Sequence, residues 1–313
     1  MSESKGVFFA FLTALISGAS VFVNGFVVKG FDPFVFTTLK NFGAAIFIVA
    51  AIFLFREMGN LRKLTLSKWK WLAIIGIIGG SIPFLMFFSG LSMIPAVKGS
   101  FLFRLLFIFS AVFAAIMLKE RPSRNAIIGA AIFLIGNMFL LGGLDSLLSF
   151  GIGEMLVLGA TVIWGFEYVL SKWVMQKTGL EPRMIAFGRM LIGTIVLFAF
   201  IGIAGKADYI ATLTTIHWGW VAITSGFLFL FVSSWYSALK WAKATTATAI
   251  LALGGPITTS LSYLFLGKAP SMNDAYGLLL IVAGVAVLVG YSQIAASGTF
   301  ALNEIRKRFA WKA

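Results

Sequence analysis

Hydrophobic residues along the 313-residue chain run in long uninterrupted blocks rather than in alternation, and ten blocks reach the length that a membrane helix needs. A bilayer core of about 30 Å takes roughly 20 apolar residues at about 1.5 Å each. The pattern predicts helices near residues 6–28, 33–55, 69–91, 95–117, 125–143, 151–172, 182–204, 217–240, 244–266 and 273–293, bounded by proline, glycine and charge clusters. Continuous rather than period-two hydrophobicity argues for helices and against barrel strands. The first block is too long for a cleavable leader and has no small-residue cleavage site before Lys29, so it is expected to persist as a helix. No connecting stretch is long enough for a soluble domain. The tail from Gly298 to Ala313 mixes Phe300, Leu302, Ile305, Phe309 and Trp311 with Arg306, Lys307, Arg308 and Lys312, which reads either as an interfacial helix on anionic lipid or as a disordered tail.

Composition narrows the chemistry. With 60% hydrophobic and 12% charged residues, the chain is far less polar than a soluble domain, where about 25% of residues are charged. It has no cysteine and one histidine, His217, which removes disulfide frameworks, thiolate metal sites, cysteine nucleophiles and the HExxH zinc motif. No two acidic residues stand within three positions of each other, against the clustered carboxylates of a metal-dependent lipid or prenyl transferase. No phosphate-binding glycine loop ending in Gly-Lys-Ser/Thr is present. The expectation is therefore a non-enzyme with no metal and no cofactor. A receptor built on a buried lysine, which Lys40 or Lys98 could imitate, fits ten duplicated helices poorly.

The net charge of +14 raises the question of a nucleic-acid partner, and the placement of the charges answers it. If the amino terminus and the even-numbered loops share one side, that side holds 18 of the 25 basic residues, from Lys5 through Lys312. The other side holds Lys29, Lys206 and Lys268, and four lie within helices. That split follows the positive-inside rule. It predicts a multi-pass protein of the cell's inner (plasma) membrane with both termini cytoplasmic, and no nucleic-acid partner.

The two halves of the chain repeat each other. Pro122-Ser123, Asn125, Gly129 and Gly136 recur as Pro270-Ser271, Asn273, Gly277 and Gly284 at an offset of 148 residues. Asp32-Pro33 recurs as Glu181-Pro182 and Lys40 as Arg189 at 149, Ser89-x-Leu91 as Ser237-x-Leu239 and Ala96 as Ala244 at 148, and Gly18 as Gly165 at 147. Five helices per unit is an odd number, so the second unit is inverted relative to the first. The expected architecture is an all-α membrane protein of ten helices in two inverted five-helix repeats, residues 1–146 and 147–296, followed by a basic tail, 297–313. Inverted repeats place a site near the midplane at their interface and expose it to either side by rocking.

With these motifs the sequence resembles the drug/metabolite transporter superfamily in its ten-helix EamA form, over about residues 6–293. The resemblance is carried by Trp164-Gly165 with Lys172 after it, the cation after a proline (Lys40, Arg189), the runs Phe88 to Leu91 and Tyr236 to Leu239, and Leu118-Lys119-Glu120-Arg121-Pro122 leading to Gly129. The chain departs from the family pattern at Ser17-Gly18, at Lys40 where arginine is usual, and at Gly267-Lys268. The resemblance implies a monomeric metabolite exporter with a central cavity lined mainly by helices 1, 3, 4, 6, 8 and 9. It leaves the substrate unspecified.

An ionisable group in mid-membrane costs at least about 2.5–3.5 kcal/mol, so each one needs an account. Helical rise brings Glu167 and Arg189 to a similar depth, where they can form a packing ion pair, or Glu167 can serve as a proton or amine site. Lys40 is expected near the outer interface, snorkelling outward or bonded to Asn24. Arg104 falls near the midplane; with Glu167 taken by Arg189 it has no evident acidic partner and is suited to capture a carboxylate or phosphate, the alternative being that it bonds helix carbonyls or Glu167 itself. Lys98 lies about 120° around the same helix, toward the cavity mouth. Phe87, Trp164, Trp235 and Tyr236 are candidate cavity walls. Pro83 after Gly79-Gly80, and Pro256 after Gly254-Gly255, are expected to bend or break their helices and expose backbone groups.

The sequence thus predicts a secondary transporter that exports a small amino acid or carboxylate-bearing solute, with the bilayer and that solute as partners. The substrate-binding set is Arg104, Glu167, Trp164, Lys98, Phe87, Trp235 and Tyr236, with Lys40, Arg189, Pro83 and Pro256 as structural or gating residues. The rival is a cationic drug or amine exporter coupled to protons through Glu167.

Overall fold

The computed structural model describes residues 2–27, 30–121, 123–141, 150–267 and 271–310, nearly all of them helical. In chain order the helices are α1 (Ser2–Val27), α2 (Pro33–Leu54), α3 (Met58–Arg62), α4 (Leu66–Gly80), α5 (Ile82–Leu91), α6 (Ala96–Arg104), α7 (Leu106–Met117) and α8 (Arg124–Leu141). The second half continues with α9 (Ile152–Thr178), α10 (Pro182–Ile203), α11 (Thr215–Trp241), α12 (Ala244–Leu251), α13 (Gly254–Leu266), α14 (Met272–Val289) and α15 (Tyr291–Ala310). Among the described residues, nine stretches are long and apolar enough to cross a membrane, and the shorter apolar helix at Arg124–Leu140 stands where the fifth of ten spans was expected. Lys29, Pro122, Lys268, Pro270, Trp311, Lys312 and the expected repeat boundary between 146 and 147 lie outside the described residues.

Helix starts follow local chemistry. Asp32 caps α2 by accepting from the Phe34 and Val35 amides at 2.9 and 3.1 Å, with Pro33 at the first helical position. Ser271 and Asp274 close a reciprocal box at the start of α14. At the far end of α9, Gly179 ends the helix at φ 66°.

Three spans are broken. The third breaks at Ser81, two residues before Pro83, into α4 and α5. The ninth breaks ahead of Pro256 into α12 and α13. The fourth breaks at Leu105 into α6 and α7, although no proline lies within it. Leu105 is the repeat counterpart of Leu253 at offset 148, so the fourth and ninth spans break at the same register.

The packing repeats with the sequence. The first span packs on the eighth and ninth, and the sixth packs on the third and fourth. A Cβ on Gly6 would collide with Trp241 and Ala242, and one on Gly153 with Met93 and Ile94. Gly18 meets Ile257, as Gly165 meets Phe109. Between α8 and α14, the closest-packed pair, a Cβ on Gly129 would lie 2.5 Å from the Gly284 carbonyl and one on Gly277 2.8 Å from the Gly136 carbonyl. The Phe8 and Phe300 rings lie 5.7 Å apart, which puts the start of α1 and the tail helix α15 at the same end of the bundle.

Candidate functional site

A cavity of about 490 Å³ lies between the two halves. Its walls come from the six spans expected and also from the second and seventh, which contribute Lys40 and Arg189. The first span lends only its later residues, Ser17 to Asn24, so the cavity sits toward the end of the bundle opposite the two termini.

Rings make up much of the wall. Phe84, Phe87 and Phe103 each meet Trp164 edge-on, with centroids 5.1, 5.4 and 5.6 Å away. Phe88, Phe107, Tyr168 and Phe231 complete the aromatic lining. Ser17, Ser20, Asn24, Ser100, Thr248, Thr258 and Thr259 supply hydroxyl and amide groups.

The Pro83 break organises the polar centre. Pro83 has no N–H, so the carbonyl four residues earlier, that of Gly79, is left without a helical donor. Trp164 Nε1 donates to it at 3.0 Å and Arg189 Nη2 at 3.1 Å. Arg189 thus faces the cavity with its guanidinium held from behind. Its Nη1 donates to Tyr236 Oη at 3.2 Å and lies 3.8 Å from Glu167 Oε2. Glu167 Oε1 accepts from Ser171 Oγ at 2.6 Å and Tyr236 Oη at 2.8 Å. Glu167 is fully buried and does not line the cavity.

Arg104 ends α6 at the break and lines the cavity. Its Nη1 donates to Asn137 Oδ1 at 2.8 Å, and Asn137 Nδ2 in turn donates to the Phe133 carbonyl at 2.8 Å. A Cβ on Gly255 would lie 2.8 Å from Nη2, so the guanidinium lies flat over glycine backbone. Among the described residues no carboxylate lies within 4 Å of it.

Four expectations need correction. Lys98 does not reach the cavity: it pairs with Glu154 at 2.5 Å, the acid that caps the start of α9. Trp235 and Tyr236 are fully buried behind the wall, Trp235 against Tyr168 at 4.6 Å between centroids. Glu167 stands one layer back, reached through Arg189. Lys40 neither snorkels nor bonds Asn24; it is 8% exposed, lies 5.4 Å over the Phe36 ring and lines the cavity. Tyr168 and the cavity-lining hydroxyls were missed, and their only sequence signal was repeat position.

The lining therefore carries three cations, Lys40, Arg104 and Arg189, and among the described residues no carboxylate. Such a chamber attracts anions, while the rings favour an apolar body.

The EamA-like transporter family matches residues 4–142 and 151–290, one unit in each half. The chain belongs to this family. An uncharacterized transporter of Bacillus subtilis, YyaM, is 23% identical over 289 residues, covering 90% of this chain and 92% of that protein. A probable terminal-alkyne amino-acid exporter of Streptantibioticus cattleyicolor is 26% identical over 236 residues, covering 73% and 76%. A solved crystal structure superposes with a TM-score of 0.76 at 20% identity, over 92% of this chain and 98% of that one, which establishes the shared fold. As a member of the EamA-like family, the chain is a multi-pass membrane transporter.

Proposed function

We propose that the protein exports small organic anions, carboxylate-bearing metabolites or amino acids, by alternating access, forming no covalent intermediate and holding no cofactor. The carrying observation is the cavity lined by Lys40, Arg104 and Arg189 with, among the described residues, no facing carboxylate. Arg104 is the anion anchor: Asn137 fixes one nitrogen and leaves the remaining donors to a bidentate ligand. The Trp164 ring cluster receives the apolar part of the solute. The probable terminal-alkyne amino-acid exporter among the relatives supports the same substrate class. The bias of 18 basic residues to 3 supports a plasma-membrane protein with its termini in the cytoplasm. The repeats meet between residues 146 and 147, and the unit acts as a monomer.

Reconstituted protein loaded with amino acids or organic acids should show counterflow, and Arg104→Gln should slow it at least about tenfold, the loss of one charge-assisted anion contact. Unchanged kinetics in that variant would overturn the reading.

Proton coupling through Glu167 is the second reading, supported by its Oε2, which has no hydrogen-bond partner among the described residues. Glu167→Gln separates the roles: a coupling carboxylate makes anion export independent of a pH gradient when replaced, whereas an amine site loses cation transport and spares anions.

A further inference from the structure

The inverted repeat allows the polar lining of one half to be compared with the other, residue by residue. In the second half Arg189 is balanced by Glu167, whose carboxylate accepts from Ser171 and Tyr236, and Tyr236 also accepts from Arg189. Shifted back by the repeat offsets, 149 for Arg189, 147 for Glu167 and Ser171 and 148 for Tyr236, these positions are Lys40, Ser20, Asn24 and Phe88. The cation is kept. Its carboxylate has become a serine, and the tyrosine that bridged the pair has become a phenylalanine. All four replacements line the cavity, whereas Glu167 and Tyr236 do not.

The residue left behind is short of partners. Lys40 is more than nine-tenths buried, and among the described residues its ammonium has neither a hydrogen bond nor a carboxylate within 4 Å. In the same cavity lining, Asn24 Oδ1 is buried without a partner among the described residues while its Nδ2 makes a long 3.4 Å contact to Ser20 Oγ. A buried cation without a counter-charge is costly, and the cost falls when a ligand brings the charge. Arg104, though hydrogen-bonded to Asn137, also has no carboxylate within 4 Å among the described residues, whereas Arg189 is neutralised from behind by Glu167.

We propose that Lys40, Ser20 and Asn24 form a second anion subsite, in which the solute supplies the carboxylate that Glu167 supplies in the other half. This rests on the organic-anion reading and narrows it. The substrate carries two carboxylates, one on Arg104 and the other on Lys40, with its chain against the rings between them.

The test uses reconstituted full-length protein and matched acids of equal length: succinate with butyrate, glutarate with valerate, adipate with hexanoate. Competition against counterflow gives the dicarboxylate-to-monocarboxylate affinity ratio, expected at about tenfold or more for one additional desolvated ion pair. Lys40→Met should bring that ratio to about one. Ser20→Glu, which restores the counter-charge found in the second half, should collapse the ratio in the same way while thermal stability is retained. This variant keeps the question open to test if Lys40→Met does not fold. A wild-type ratio near one, or a high ratio surviving both variants, overturns the subsite. If that happens while Arg104→Gln still slows carboxylate counterflow, the organic-anion reading stands alone. If no carboxylate competes, both readings fall.

Discussion

Gly79 and Glu167 occupy one space: a Cβ on Gly79 would lie 2.7 Å from the carboxyl carbon of Glu167 and 2.9 Å from Oε2. The same glycine offers its carbonyl to Trp164 and Arg189. Gly79→Ala therefore forces the buried pair apart, and overpacking of this kind costs about 1–3 kcal/mol. Gly219→Ala, inside α11 with nothing within 4 Å of its would-be Cβ, is the matched control and should be neutral or stabilising by about 0.5–1 kcal/mol. Thermal unfolding of the two variants in the same detergent checks the contrast, which fails if both melt alike.

At the end of the bundle that carries the termini, Glu120 binds the start of α12. It accepts from the Ala244 and Thr245 amides at 3.0 and 3.3 Å and from Thr245 Oγ1 at 3.2 Å. Lys172 lies 3.9 Å from it and donates to the Leu239 and Ala242 carbonyls at the end of α11. Four spans are thereby tied below the cavity. The repeat counterparts of Glu120 and Lys172 are Lys268 and Gly25, so the sequence holds no matching tie at the other end. Glu120→Ala should favour opening at the terminal end, by several-fold for the loss of about 1 kcal/mol of capping. The chain has no cysteine, so Ala10→Cys on α1 provides a single labelling site. Its rate of modification should rise in the Glu120→Ala background; an unchanged rate means the tie does not hold this end shut.

Asp32 joins the two halves by pairing with Lys206. Burial acts against its charged form, but Lys206 and the Phe34 and Val35 amides outweigh burial and hold the carboxyl below its usual range. A carboxyl depressed by folding stabilises the protein at neutral pH and loses that contribution as the medium is acidified through the folded-state value. Asp32→Asn should thus lower the melting temperature at pH 7 by a few degrees, on the order of 1 kcal/mol or less for a partly exposed pair. The gap from wild type should close as the medium is acidified below the usual aspartate range. A gap that stays constant with pH would show that capping alone, and not charge, is lost.

Much of the architecture was legible because long apolar runs and proline positions act locally. The start of α2 follows from Asp32-Pro33, and the third-span break follows from Pro83. The Glu167–Arg189 pair was accessible from helical depth, which depends only on rise per residue. Depth does not give the angle at which a side chain leaves a bundle of unknown packing. That is why Lys98 was placed toward the cavity rather than on Glu154, and Lys40 at an interface rather than in the wall. Nor can composition separate lining rings from packing rings in a chain with 33 phenylalanines. The fourth-span break at Leu105 carries no proline and becomes visible only by reference to its repeat partner Leu253.

The crossing of α8 on α14 has a mechanical corollary. With Gly129, Gly136, Gly277 and Gly284 at the crossing, main chain comes against main chain and leaves these two helices little room to slide or separate. They form the keel of the molecule, and the alternating access proposed above is expected to turn around this seam rather than open it.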